Sequence, residues 1–145
     1  MLLRRHSDKA DLLKKVPLFS GLSQRQLHHI AREADEVKEE AGAVLTKQNG
    51  LGLEFLLILE GGARVERDGT VIARLGPGDF FGEMSLIDGM PRSATVIADS
   101  PTVLLVIQSR SFRSLLGAVP GLQRKLLVTL CARLRAADAR LASLN

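Results

Sequence analysis

The sequence predicts a mainly β domain carrying helices at both ends, on three observations. Residues 37–108 are short apolar runs rich in Val, Ile, Leu and Phe, broken by Asn-Gly, Gly-Gly, Asp-Gly, Gly-Pro-Gly and Gly-Met-Pro. The segments on either side, 1–36 and 109–145, carry a helical period instead. The length of 145 residues, 46% of them hydrophobic, suits one compact domain with a core of its own. The expected unit is therefore a single domain over 1–145: N-terminal helices, a β-roll over 37–108, and C-terminal helices.

Taken in order, Asp8 to Lys15 reads as a short helix stopped by Pro17. Ser23 followed by Gln26 is a capping-box pattern that opens a second helix to about Ala34. From Val37 to Gln108 the turn signals recur roughly every 8 to 12 residues, the spacing of a sandwich, roll or barrel of eight or so short strands. After Ser109, Arg110 to Leu116 makes a short helix, and Pro120 is placed as the first residue of a long one reaching about Ser143. Its apolar face is Leu122, Leu126, Leu130, Leu134 and Leu141, flanked by Leu127, Cys131 and Ala137. Such a face needs the roll, a second copy of the chain, or both.

Composition narrows the function. Residues 37–108 hold 6 Lys/Arg against 10 Asp/Glu, and residues 109–145 hold 7 against 1. Phe112 is the single aromatic residue in that basic tail, which reads as a solvated helix face and not as a nucleic-acid surface. Cys131 is the single cysteine, so no intramolecular disulfide or Cys-x-x-Cys pair exists, and it is expected as a buried structural thiol. His6, His28 and His29 all fall in the N-terminal helical region, which leaves the roll without the clustered ligands of a metal enzyme; no metal, no cofactor and no catalysis are expected. Met1-Leu2-Leu3 runs directly into Arg4 and Arg5 without the apolar stretch of a signal peptide, and no run could span a bilayer. A cytoplasmic location is the expectation.

The chemistry concentrates in residues 81–96, "FGEMSLIDGMPRSATV". Glu83 to Ile87 suits a single helical turn whose first amides point one way, and Gly82 admits close approach of the backbone. Arg92, fixed by Pro91, offers a planar fork suited to two oxygens of one phosphate. No Gly-x-x-x-x-Gly-Lys-Ser/Thr loop provides for a triphosphate, so a singly charged phosphodiester fits better. Glu83 has the wrong sign for an anion site unless it accepts a hydrogen bond from a ligand hydroxyl, such as the ribose 2′-OH of a 3′,5′-cyclic nucleotide. The same two residues could form a surface ion pair closing a loop, worth about 0 to 1 kcal/mol. Spacing alone leaves these readings level.

That stretch closely resembles the phosphate-binding cassette of the cyclic nucleotide-binding domain, the family of cAMP-dependent protein kinase regulatory subunits and bacterial catabolite-activator proteins. "VPLFSGLSQRQLHHIA", "GGARVERDGTVIARLGPGDFFGE" and "LLVIQSRSFRSLL" are similar to the family's opening helix, central strands and exit into the helical lid, so the resemblance covers about residues 11–143. It implies an eight-stranded β-roll, a double-stranded β-helix of jelly-roll type, with N-terminal helices, a cassette at 81–95 and a C-terminal helical lid. It also implies that Glu83 binds the ribose 2′-OH and Arg92 the cyclic phosphate. Gly82, Glu83 and Ser93 would add backbone amides, with Met84, Ser85 and Ala94 completing the ligand-binding set. Leu86, Ile87 and Val96 are expected as core or pocket wall.

"QNGLGLEF" lacks the Gly-Asp and second acidic residue often found before the third strand of the family, and Met84-Ser85 replaces a common Leu-Ala pair. With no Trp or Tyr in the chain, an aromatic base cap from the last helix is excluded, leaving Leu130, Arg133 and Leu134 as substitutes. Ser93 after Arg92 favours cAMP, with cGMP the alternative. The expected function is a non-catalytic sensor module whose C-terminal helices move on binding, passing the signal to a protein partner or to a homodimer through the last helix. A protein-interaction scaffold that has lost its ligand is the other reading, against which the intact Glu83 and Arg92 count. Relatives that bind DNA append a helix-turn-helix, for which the residues up to Asn145 leave no room. The chain is expected either to act alone or to be a piece of a longer one.

Overall fold

The computed structural model describes residues 6–144. The expectation that Met1 to Arg5 hold no signal peptide falls outside those residues. Helix α1 (His6–Lys14) and a 3-10 turn at Pro17–Phe19 precede α2 (Gln24–Glu33). The capping box forms as the sequence predicts: Gln26 N donates to Ser23 Oγ at 3.1 Å, and Ser23 N donates to Gln26 Oε1 at 2.8 Å.

Eight strands follow among the described residues: β1 (Ala34–Glu39), β2 (Val44–Thr46), β3 (Glu54–Glu60), β4 (Ala63–Arg67), β5 (Thr70–Leu75), β6 (Phe80–Phe81), β7 (Thr95–Ala98) and β8 (Thr102–Gln108). They form two antiparallel sheets, ordered β1-β8-β3-β6 and β2-β7-β4-β5. This is the predicted β-roll. The turn between β4 and β5 is Asp68-Gly69, both at positive φ (53° and 81°), as a two-residue hairpin requires. β1 starts at Ala34, immediately after α2 and three residues before the expected start, because Ala34 already pairs with Ile107 of β8.

The core has two compartments, divided by the first sheet. In β3, Leu56 and Ile58 point between the sheets, whereas Phe55 and Leu57 point toward the helices; Leu104/Val106 and Leu105/Ile107 of β8 divide in the same way. The strict two-residue period of a strand explains why both runs read as continuously apolar: each face is covered. On the helical side Phe55 stacks on Phe112 (4.4 Å between centroids) and on Phe80 (5.4 Å). Such pairs contribute about 0.5–1.5 kcal/mol each beyond their burial.

Helix α3 (Glu83–Asp88) interrupts the roll between β6 and β7, and α4 (Ser109–Ala118) and α5 (Leu122–Ser143) close the chain. The long helix begins at Leu122 instead of Pro120. Gly121, at φ 85°, breaks the helical path and caps it. Leu122 and Leu126 are buried against the N-terminal helices, but Leu127, Leu134 and Leu141 are 62%, 63% and 63% exposed. Cys131 is also exposed, which corrects the expectation of a buried thiol: it lies on the side of α5 turned away from the roll. No single helix among the described residues is long and apolar enough to cross a membrane.

Candidate functional site

The site begins where β6 ends. Phe80 is anchored in the helical compartment and Phe81 between the sheets, so the chain leaves β6 held on both faces. Gly82 then turns it at φ 89°. A Cβ there would lie 2.8 Å from the Glu54 carbonyl oxygen and would collide with the Arg92 guanidinium. Only a residue without a side chain permits that turn and that approach together. Helix α3 starts at the next residue, and its Leu86 packs into the helical compartment while Ser85 is buried beside Gly52.

Arg92 enters from the loop after α3. Its backbone is paired with the Asn49-Gly50 turn: Arg92 N donates to Gly50 O at 2.9 Å, and Asn49 N donates to Arg92 O at 2.8 Å. The residue is 7% exposed, and its side chain donates from Nη1 to Gly82 O at 2.6 Å and from Nη2 to Glu54 O at 2.8 Å. A guanidinium has five donors, so these two bonds fix its plane and leave others for a ligand.

Glu83 is 3% exposed, yet it is not paired with Arg92 by a direct bond. Its Oε1 accepts from Nη1 of Arg133, on α5, at 2.9 Å. Arg133 also donates from Nη2 to Phe80 O at 2.6 Å, and its guanidinium lies 4.2 Å from the Phe80 ring centroid. Burial pushes the Glu83 carboxyl above its ordinary range, and the charge of Arg133 is the strongest influence pulling it back, followed by its own backbone and Arg92. Burial likewise lowers Arg92 from the usual arginine value, opposed by Glu54 and then Glu83. Arg92 remains a cation throughout the physiological range.

These groups surround a cavity of about 310 Å³. Gly82, Glu83, Met84, Ser85, Arg92, Ser93 and Ala94 all lie on its lining, with Val65, Ala73, Leu75 and Val96 of the roll supplying an apolar wall. One buried carboxylate, one buried arginine and an apolar wall suit a small ligand with a single phosphate, a hydroxyl donor and a flat apolar part. Of the three residues considered as a base cap, Arg133 lies on the lining; Leu130 packs against the helical core and Leu134 is exposed. Leu86 is core and Val96 is wall, but Ile87 is 55% exposed, on the outer side of the short helix. Sequence reasoning did not single out Arg140, which lines the cavity two turns after Arg133; that seven-residue spacing on one helix face was the available signal. Among the described residues no group of His, Cys, Asp and Glu could hold a metal ion.

Comparison with known proteins shows the family and the fold. The family described as "Cyclic nucleotide-binding domain" matches residues 36–118. The chain is 37% identical to the cAMP-dependent protein kinase regulatory subunit of Schizosaccharomyces pombe over 78% of its own length and 28% of that protein, so it spans little more than a quarter of that relative. It superposes on a cyclic nucleotide-binding domain from Methylobacillus flagellatus with a TM-score of 0.81 and 30% identity, covering 97% of this chain and 84% of that one. It also superposes on the catabolite activator protein of Thermus thermophilus with a TM-score of 0.80 and 33% identity, covering 88% and 62%. The chain belongs to the cyclic nucleotide-binding domain family.

Proposed function

We propose that the chain is a non-catalytic sensor that binds a 3′,5′-cyclic nucleotide, with cAMP the preferred ligand. The observation that carries this reading is the burial of Glu83 and Arg92 on the lining of one cavity whose backbone turns at Gly82. Glu83 and Arg92 are held by other partners, Arg133 and two backbone carbonyls, and not by each other, so each keeps hydrogen-bonding capacity that a ligand presenting a hydroxyl to one and a phosphate to the other would use. Arg92 would hold the cyclic phosphate together with the amides of Gly82, Glu83 and Ser93. Glu83 would accept from the ribose 2′-OH, and the purine would lie against the apolar wall with Arg133 over it. The name of the yeast relative, a cAMP-dependent regulatory subunit, supports cAMP as the ligand and a regulatory role.

The output would run through the helices. Leu86 of α3 sits in the helical compartment, and Nη2 of Arg113 on α4 donates to its carbonyl at 3.4 Å, so a shift of the cassette bears on α4 and α5 directly. The exposed Leu127, Leu134 and Leu141, spaced by seven, would then meet a protein partner or the same helix of a second copy, in the cytosol. Isothermal titration calorimetry with cAMP and cGMP tests the reading. Micromolar or tighter binding of cAMP is expected, about −8 kcal/mol or better. Preferential binding of cGMP would reverse the base assignment, and no heat with either nucleotide would overturn the reading. Glu83→Ala should bind more weakly and discriminate less against 2′-deoxy-cAMP.

A further inference from the structure

Arg92 is held by its main chain as well as by its side chain, and both main-chain bonds run to one turn. That turn, Lys47 to Gly50, is closed by Gly50 N donating to Lys47 O at 2.9 Å, with Asn49 at φ 68° in its left-handed corner. It lies beyond the end of β2, whose last pair with β7 is Thr46 and Val96. The sheet ladder has ended there, and side chains take over.

Gln48 makes the largest share of those contacts. Its main-chain N donates to Thr95 Oγ1 at 2.9 Å, its Nε2 donates to Asp68 Oδ1 at 2.9 Å, and its Oε1 accepts from Asp68 N at 2.9 Å. The reciprocal pair uses both ends of the amide and admits only one orientation of it. Asp68 is at the tip of the β4–β5 hairpin and Thr95 opens β7, so Gln48 ties both to the turn around Arg92. Arg67, beside Asp68, adds a second tie: its Nε donates to Ser93 O at 3.0 Å. Gln48, Arg67 and Asp68 are all outside the lining of the cavity.

We propose that Gln48 is a positioning residue for phosphate recognition: it braces the turn that brackets Arg92, and so makes the hairpin tip, outside the cavity, a determinant of nucleotide affinity. The proposal rests on the cyclic nucleotide reading of the cavity. The guanidinium must present its free donors to two phosphate oxygens, and its bonds to Gly82 O and Glu54 O hold that plane only while the Arg92 main chain stays in place. With the turn braced, the geometry exists before a ligand arrives. Without the brace, part of the binding free energy goes into ordering residues 47–50 and Arg92, and affinity falls.

The test is nucleotide affinity by calorimetry, with cAMP or, where it is the better ligand, cGMP. Gln48→Glu sets a carboxylate against the Asp68 carboxylate and should weaken binding about fivefold to tenfold. Adding Asp68→Asn exchanges donor and acceptor: the new amide and the main-chain N at position 68 both donate to the new carboxylate, and asparagine accepts the φ of 53° there. The double variant should return to within about twofold of the wild type, and Gln48→Glu should cost less than about twofold in an Arg92→Ala background. Wild-type affinity in Gln48→Glu, no recovery in the double variant, or an equal loss without Arg92 would overturn the proposal. Should Gln48→Glu not fold, Gln48→Ala removes both amide bonds without adding charge, and wild-type affinity there would be equally decisive against it. If the wild type binds neither nucleotide, the cyclic nucleotide reading fails by itself, and hydrogen exchange of the Arg92 amide, bonded to Gly50 O, decides the role of Gln48. Faster exchange in Gln48→Glu that the double variant reverses supports the brace, and an unchanged rate overturns it.

Discussion

Arg92 and Glu54 meet through the main chain: Nη2 of the buried guanidinium donates to the Glu54 carbonyl at 2.8 Å, while Nη1 donates to Gly82. The cation is thus oriented by backbone that the roll already fixes, at the first residue of β3 and the last before α3. Arg92→Ala should weaken cAMP binding by about 2 kcal/mol or more, roughly thirtyfold, because a charged donor is lost from a buried site. Arg92→Lys keeps the charge but cannot hold both carbonyls and two phosphate oxygens at once, so calorimetry should place it between the two. Wild-type affinity in Arg92→Ala would remove Arg92 from the site.

Gly82→Ala tests the turn on which the cavity depends. The substitution places a Cβ at φ 89° and against both Glu54 O and the Arg92 fork. Strain at such a position costs about 1–3 kcal/mol, so a lower melting temperature and loss of nucleotide binding are both expected. Full stability by calorimetric melting would show that the turn relaxes more freely than its contacts imply.

The sequence exposed what depends on residue type. The capping box at Ser23, the Asp68-Gly69 hairpin and the Gly82-Glu83-Arg92 constellation each require particular side chains or their absence, and each stands where the pattern placed it. The missed features depend on backbone. The Asn-Gly pair announced a turn at 49–50, but the turn and the Glu54 carbonyl hold Arg92 through main-chain groups that every residue carries, so no residue identity announces those contacts. The two faces of α5 were hidden for a related reason: a leucine stripe shows that a helix is amphipathic, but where the roll ends decides that Leu126 is buried and Leu134 is not. Pro120 was a sound start signal overridden by the left-handed Gly121 beside it.

The outer stripe of α5 gives a prediction of its own. Leu127, Leu134 and Leu141 are largely exposed at a heptad spacing, away from the residues that hold the helix on the roll. Leu134→Glu should leave the melting temperature and cAMP affinity within about 0.5 kcal/mol of wild type, as an exposed substitution does. It should also reduce any self-association seen by sedimentation velocity. A large loss of stability in the monomer would show instead that this face packs against the domain.

The pH dependence of binding and of stability should run in opposite directions. The Glu83 carboxyl is raised by burial in the folded chain relative to its ordinary value, so the folded state binds that proton more tightly than the unfolded state does. Its contribution to stability is therefore full below the ordinary carboxylate pKa and is lost as pH rises through the raised value. Binding takes the other sign, because a ligand hydroxyl donates to the ionised form: affinity for cAMP should rise with pH over that same window and then level off. Melting curves of wild type and Glu83→Gln, paired with calorimetric titrations over the same pH series, separate this residue from the other carboxylates. The difference in stability between the two proteins should move against the wild type as pH rises, while the rise in affinity should be present in the wild type and absent from the variant. A wild-type affinity that is flat across the window in which Glu83 titrates would show that the carboxylate does not touch the ligand's hydroxyl.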